Sequence, residues 1–251
     1  WREVVNKWSK INEKYKVKGF PTRNDEYRFY QVLIGTWDGY SKEYEERLVN
    51  YMIKAVREEK INTSWINVNT EYEEAVINFV RNVIKDEEFL SSFTPFLEKI
   101  KKVGGIYSVE QAVLKLTSPG LPDIYQGNET ITYLMVDPDN RRKVDFNRLK
   151  ETLNEVKGED PVGLFKKEEF DKLKLYVSWK LLNLRKERKE LFKGYRPLEG
   201  CGFERNGLIV VVTFYPFNGY EVRVKGKYLN IFESTTYEDV IKKGEMPFGV
   251  Y

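Results

Sequence analysis

One interval constrains this chain more than any other: Leu116 to Phe146, where breakers enclose a short apolar run. A helical pattern closes at Leu116, and Pro119-Gly120 forces a turn. Leu121 to Tyr125 is then short, apolar and bounded by breakers, the pattern of a buried strand. Past it the chain carries Gln126, Asn128, Glu129, Asp137, Asp139, Asn140, Arg141 and Arg142, which read as one polar loop. Helix, buried strand and a polar loop at the strand's C-terminal end is the order in which an α/β barrel builds its active-site rim. A charged surface loop would satisfy the same spacing.

The residues before this interval are helical, with no strand alternation. Val4, Val5, Trp8, Ile11 and Tyr15 share one face of a first helix. Asn24 is placed to cap a second helix, with Asp25 and Glu26 favouring its positive end. Ser41 caps a third, and Thr70 with Glu73 forms a capping box for a fourth. Asp86 opens a fifth, which Pro95 should kink or split and Gly104-Gly105 should break, so that a further helix starts at Ser108. After the polar loop, Asn147 to Val156 and Phe170 to Phe192 are helical, and Gly194 ends the second of these. The composition then changes. Gly207 to Phe214, Tyr220 to Val224 and Tyr228 to Phe232 are β-branched and aromatic runs separated by Asn-Gly and Lys-Gly turns, with Met246 to Tyr251 as a last strand. They predict a small antiparallel sheet.

Composition excludes several classes of chemistry. There is no histidine among the 251 residues, which removes Ser-His-Asp and Cys-His catalysis and His-based metal centres from this chain. Acid–base work would fall to carboxylates, Lys or Tyr. The single Cys201 excludes an internal disulfide and a multi-cysteine zinc site; it reads as a small apolar residue rather than a nucleophile. Net charge is only +3, against a nucleic-acid partner held by a clustered basic face. No apolar run approaches the ~18 residues of a membrane span. No basic-then-apolar leader opens the chain, and charged residues at 32% with one cysteine suit a cytoplasmic protein of a thermophile.

The motifs also carry a resemblance. Pro119-Gly120-Leu121-Pro122-Asp123-Ile124-Tyr125-Gln126-Gly127-Asn128-Glu129 resembles the eighth barrel strand of the α-amylase superfamily (glycoside hydrolase family 13). Asp137-Pro138-Asp139-Asn140-Arg141-Arg142 is similar to a run in the maltooligosyl trehalose synthases. So are Arg23-Asn24-Asp25-Glu26-Tyr27 with Tyr30-Gln31, Gly35-Thr36-Trp37, and Thr63-Ser64-Trp65-Ile66-Asn67 with Tyr72-Glu73. The ordered set covers roughly Trp1 to Asp145; Leu181 to Tyr251 fits more loosely.

The resemblance implies an α/β fold with an all-β tail: the C-terminal part of an eight-stranded barrel followed by a small antiparallel β-sandwich. Residues 1–105 would be a helical excursion between barrel strands seven and eight, 106–192 the last strand, rim loop and following helices, and 193–251 the sandwich. It implies an intramolecular transferase that turns the reducing-end α-1,4 bond of a maltooligosaccharide into an α,α-1,1 bond by a retaining mechanism, without metal or organic cofactor. The family's three catalytic carboxylates follow barrel strands four, five and seven. Their motifs do not occur here, so no catalytic residue is expected in this chain, which alone would be inactive and would need the upstream barrel as partner.

What remains is substrate contact. Asp137, Asp139, Arg141 and Arg142 are candidates for holding sugar hydroxyls, or form an internal ion-pair network that shapes the loop. Gln126 and Glu129 would stand at the rim. Asn24 and Glu26 would lie near the leaving glucose, or merely begin a helix. Trp65 and Trp37 could stack on sugar faces, or belong to the core. Two other readings fit: a carbohydrate-binding or helical scaffold module, and a related trehalose-releasing hydrolase.

Overall fold

The structure, a computed structural model, describes residues 1–198 and 202–251. Cys201, expected as a small apolar residue, lies outside the described residues. The chain divides into two compact units: Trp1–Ile100 with Tyr133–Lys143, and Lys101–Thr132 with Val144–Tyr251.

The first unit is helical. It contains α1 (Arg2–Asn12), α2 (Arg23–Thr36), α3 (Lys42–Glu59), α4 (Thr70–Val83) and the start of α5 (Glu87–Thr117). Its core is unusually aromatic. Trp8 is fully buried, with Tyr30, Phe89, Phe93 and Phe96 ring centroids at 5.4–5.7 Å. Edge-on and tilted pairs of this kind add to the burial of each ring. Two caps depart from expectation by one or two residues. Thr22, not Asn24, precedes α2, and its Oγ1 accepts the Asp25 amide. Asn69, not Thr70, takes the Tyr72 amide at 3.1 Å, leaving Glu73 free for a different partner. Ser41 and Asp86 cap as expected, accepting the Tyr44 and Phe89 amides at 3.0 and 2.7 Å.

α5 is one helix of 31 residues, running through Pro95 and Gly104-Gly105 where breaks were expected. Gly105 gives the physical reason. A Cβ there would lie 2.3 Å from the Phe170 ring, so this glycine admits an aromatic ring against the helix instead of ending it. Packing overrides the propensity cost of about 1 kcal/mol.

In the second unit, α5 continues beside α6 (Phe146–Val156), α7 (Pro161–Lys166) and α8 (Phe170–Glu187). The long helix expected to reach Phe192 stops at Glu187, and a short 3-10 turn covers Lys189–Phe192. Strands follow: β1 (Arg196–Leu198), β2 (Gly202–Arg205), β3 (Leu208–Val212), β4 (Glu221–Leu229), β5 (Thr236–Lys242) and β6 (Phe248–Val250). They make two antiparallel sheets, one in the order β1-β2-β3-β6 and one of β4 with β5. The two runs expected on either side of Lys225-Gly226 are a single strand, β4. Its register shifts between Arg223 and Lys227, where the Gly226 amide donates to Asp239 Oδ1 at 3.1 Å. The carboxylate occupies the irregularity, so pairing resumes beyond it instead of turning back. Arg205 is buried and donates to three carbonyls, of Gly194 (3.0 Å), Thr117 (2.9 Å) and Phe192.

The expected strand over Leu121–Tyr125 is irregular, and Leu121 is 97% exposed. A buried parallel strand needs neighbours to take its backbone groups on both sides. Among the described residues no strand pairs with this segment. The mixture of helices and antiparallel sheets stands; the barrel strand does not form here.

Candidate functional site

Candidate residues fall into four places. The first is a cleft of about 400 Å³ in the helical unit, lined by Trp1, Asn6, Arg23, Asn24, Glu26 and Tyr27 among others. Helix α2 supplies the last four because positions 23, 24, 26 and 27 share its first turns. Glu26 is 1% exposed and saturated: it accepts from Ser9 Oγ (3.1 Å) and Tyr30 Oη (2.8 Å), and pairs with Lys16 at 3.0 Å. These partners hold it in the cleft lining. Asn24 is exposed at the rim.

The second place is the 133–143 segment against α3. Asp139 makes a two-pronged pair with Arg47, both contacts at 2.7 Å, and accepts the Met135 amide at 2.8 Å. Arg47 also donates to the Tyr133 carbonyl at 2.8 Å. Burial alone would raise the Asp139 carboxyl; the Arg47 hydrogen bonds, the Met135 amide and nearby cations outweigh it and hold it below the usual range. Asp137 pairs with Arg141 at 2.5 Å and Lys54 at 3.4 Å, and Arg142 pairs with Glu43. The four candidates are therefore brought together as an ion-pair network with one helix face. Arg141, 70% exposed, presents its guanidinium outward. Sequence reasoning missed Glu43, Arg47 and Lys54. Their spacings of four and seven residues put them on one stripe of α3, a readable complement to Asp-Pro-Asp-Asn-Arg-Arg.

Trp65 is the third place. It is 56% exposed, with the Arg57 guanidinium 4.9 Å from its ring centre. Arg57 is fixed by Glu73 through contacts of 2.8 and 2.6 Å, and Thr63 Oγ1 donates to the same carboxylate at 2.7 Å. Trp37 is instead buried, edge-on to Tyr44 and Phe93. Its stacking role is replaced by a core role, because α2 ends directly before it and directs the ring inward.

The fourth is the turn at Gln126 and Glu129, in the other unit. Gln126 and Gly127 both take positive φ (24° and 84°). Asn128 Oδ1 and the Thr130 carbonyl accept from Lys174 Nζ at 2.8 and 2.9 Å, a buried partner the sequence did not reveal. No group of three Asp, Glu, Cys or His among the described residues converges on a metal-sized space. Nor is any described helix long and apolar enough to cross a membrane.

No protein-family model matches the chain. A putative maltooligosyl trehalose synthase of Mycobacterium tuberculosis is 30% identical over 178 residues, 69% of this chain and 21% of that protein. Among solved structures, a maltooligosyl trehalose synthase aligns over 100% of this chain and 35% of its own, with 37% identity and a TM-score of 0.88. A hypothetical maltooligosyl trehalose synthase of Sulfolobus tokodaii aligns over 100% and 34%, at 38% identity and a TM-score of 0.81. The chain belongs to the maltooligosyl trehalose synthase family and spans about a fifth to a third of the length of these relatives.

Proposed function

We propose that this chain is the C-terminal portion of an intramolecular transglucosylase acting on maltooligosaccharides. The observation that carries the reading is alignment over the whole chain to a solved maltooligosyl trehalose synthase at 37% identity. In the proposed reaction a carboxylate outside these residues attacks C1 of the penultimate glucose while an acid protonates the departing O4. The freed glucose turns within the closed pocket. Its anomeric hydroxyl then attacks the glycosyl ester, returns its proton to the acid/base residue and forms the α,α-1,1 bond. The catalytic carboxylates lie upstream, and the reaction takes place in the cytoplasm without a cofactor.

Residues 1–105 form the helical excursion before the last barrel strand, 106–192 the strand segment, rim loop and helices, and 193–251 the β-sandwich. In this reading Leu121–Tyr125 becomes a strand only when barrel neighbours supply pairing, and exposed Leu121 and Tyr125 support that. Arg141, Arg142, Asp137 and Asp139 shape and edge the sugar site. Asn24, Glu26 and Trp65 contribute on the leaving-glucose side, and Gln126 and Glu129 at the rim.

The test is an assay of the longest natural polypeptide carrying this chain, with maltohexaose, following reducing ends and free glucose together. Loss of reducing ends with little glucose is expected. Release of free trehalose would favour the hydrolase instead, and glucan binding without turnover the binding module.

A further inference from the structure

Helix α8 holds the Gln126–Glu129 turn through two side chains one helical turn apart. Asp171 Oδ1 accepts the Ile131 amide at 2.7 Å. Lys174 Nζ donates to Asn128 Oδ1 at 2.8 Å and to the Thr130 carbonyl at 2.9 Å. Lys174 is 6% exposed, and among the described residues no carboxylate lies within ion-pair distance of its ammonium. Burying an ammonium in this way is costly. Neutral donors would tether a turn equally well, so the charge calls for another reason.

Glu129 supplies one. Its carboxylate is close enough to act on Lys174 through space, and its Oε2 is buried with no hydrogen-bond partner. The backbone beside it is equally specific. Gln126 holds a positive φ that side chains seldom adopt, and a Cβ at Gly127 would come within 3.0 Å of Val144 Cγ1. A turn fixed at both ends thus presents a carboxylate oxygen that lacks a partner, beside a buried cation.

We propose that Lys174 is a positioning residue that holds the Gln126–Glu129 turn so that Glu129 accepts a hydrogen bond from a polyhydroxylated ligand. This rests on the trehalose-forming reading above, in which that ligand is the maltooligosaccharide. Burial, and secondarily Lys115, push the Lys174 amine down to about 8, while Asp171 and Glu129 pull it up, so it remains charged at neutral pH.

The test uses the longest natural polypeptide carrying the chain, with maltohexaose as probe. Lys174→Met is expected to lower kcat/KM about tenfold or more. It should also speed amide hydrogen exchange at Asn128–Ile131 while leaving the thermal midpoint unchanged or higher. Glu129→Gln should lower kcat/KM without altering exchange. Lys172→Met, at a half-buried neighbour on the same helix that pairs with Glu155, Glu159 and Glu169 and not with the turn, should change neither. An unchanged kcat/KM for Lys174→Met, or a loss only in proportion to unfolded protein, overturns the proposal. If that variant does not fold, Asn128→Ala removes one tether, and an unchanged kcat/KM there overturns the proposal as well. Wild-type protein without turnover overturns the trehalose reading by itself. Exchange at Asn128–Ile131 and maltohexaose binding by Glu129→Gln then still decide the role of Lys174.

Discussion

The two units bury charge in opposite ways. In the helical unit the buried carboxylates of Glu26, Glu45, Glu73 and Asp86 all have cations or donors around them. Glu45 meets Lys42, Lys85 and Tyr40, whose hydrogen bonds hold it down to about 2. At Asp86 burial pushes the carboxyl up, but Lys14, Tyr15 and the Phe89 amide win and bring it to about 2. In the other unit, among the described residues, buried Glu110, Lys174 and Arg205 lack an opposite charge at ion-pair distance. Burial drives Glu110 up to about 7, although Thr213 donates to it from both amide and hydroxyl, and drives Lys174 down to about 8. Paired charges place a unit's pH sensitivity in acid; solitary ones bring it to neutrality.

The largest effect expected from this contrast is at Arg47. Arg47→Met would strand Asp139 in a half-buried site and cost about 3 kcal/mol at pH 7, read by urea unfolding. A cost below about 1 kcal/mol would mean the network is a surface ornament.

Glu110 has a raised carboxyl, so its contribution is complete below 4.5 and is lost as pH climbs through about 7. Glu110→Gln should therefore gain on the order of 2 kcal/mol at pH 8 and nothing at pH 4. Lys174 has a lowered amine, so its cost fades as pH rises from about 8 to 10.5. The lowered carboxyls of Glu45 and Asp86 lose their contribution as pH falls toward about 2. Four of the five tryptophans (Trp1, Trp8, Trp37 and Trp65) lie in the helical unit, with Trp179 in the other, so tryptophan fluorescence reports mainly on the first. An acid transition seen by far-UV circular dichroism but not by fluorescence would reverse the assignment.

The smallest effects come from adjacent glycines, where packing replaces charge. Gly105→Ala should cost roughly 2 kcal/mol against the Phe170 ring. Gly104→Ala meets nothing within 4 Å and should gain about 0.5–1 kcal/mol. Equal thermal midpoints for the two variants would remove the reason given for the unbroken helix.

These glycines also mark the limit of what the residues disclose. Local signals fixed Ser41 and Asp86 as caps, because each cap is a contact within one turn. The passage of α5 through Gly104-Gly105 depends on Phe170, far along the chain. The Lys174 tether to Asn128 likewise joins distant positions, and periodicity carries no trace of it. Strand β5 escaped because Thr236–Lys242 mixes Asp239 and Glu238 into its run, and its exposed face hides the alternation. Leu121–Tyr125 was legible as an apolar run between breakers, yet a strand is a property of its neighbours as well as its residues. For the candidate site, the Asp-Pro-Asp-Asn-Arg-Arg charges are plain in the sequence, whereas Glu43, Arg47 and Lys54 on α3 show only as a charged stripe whose partners lie 83 to 99 positions away.

Arg205 has a consequence for the order in which this chain acquires its shape. Its guanidinium joins the last turn of α5, the stretch around Phe192 and Gly194, and strand β2, which are remote in sequence. None of these carbonyls is satisfied by that arginine until β2 is in place; before then the last turn of α5 has Arg185, from α8, which donates to the Leu116 carbonyl at 3.0 Å. The Thr117 and Phe192 carbonyls, far apart in the chain, therefore gain this donor in the same step, when β2 arrives.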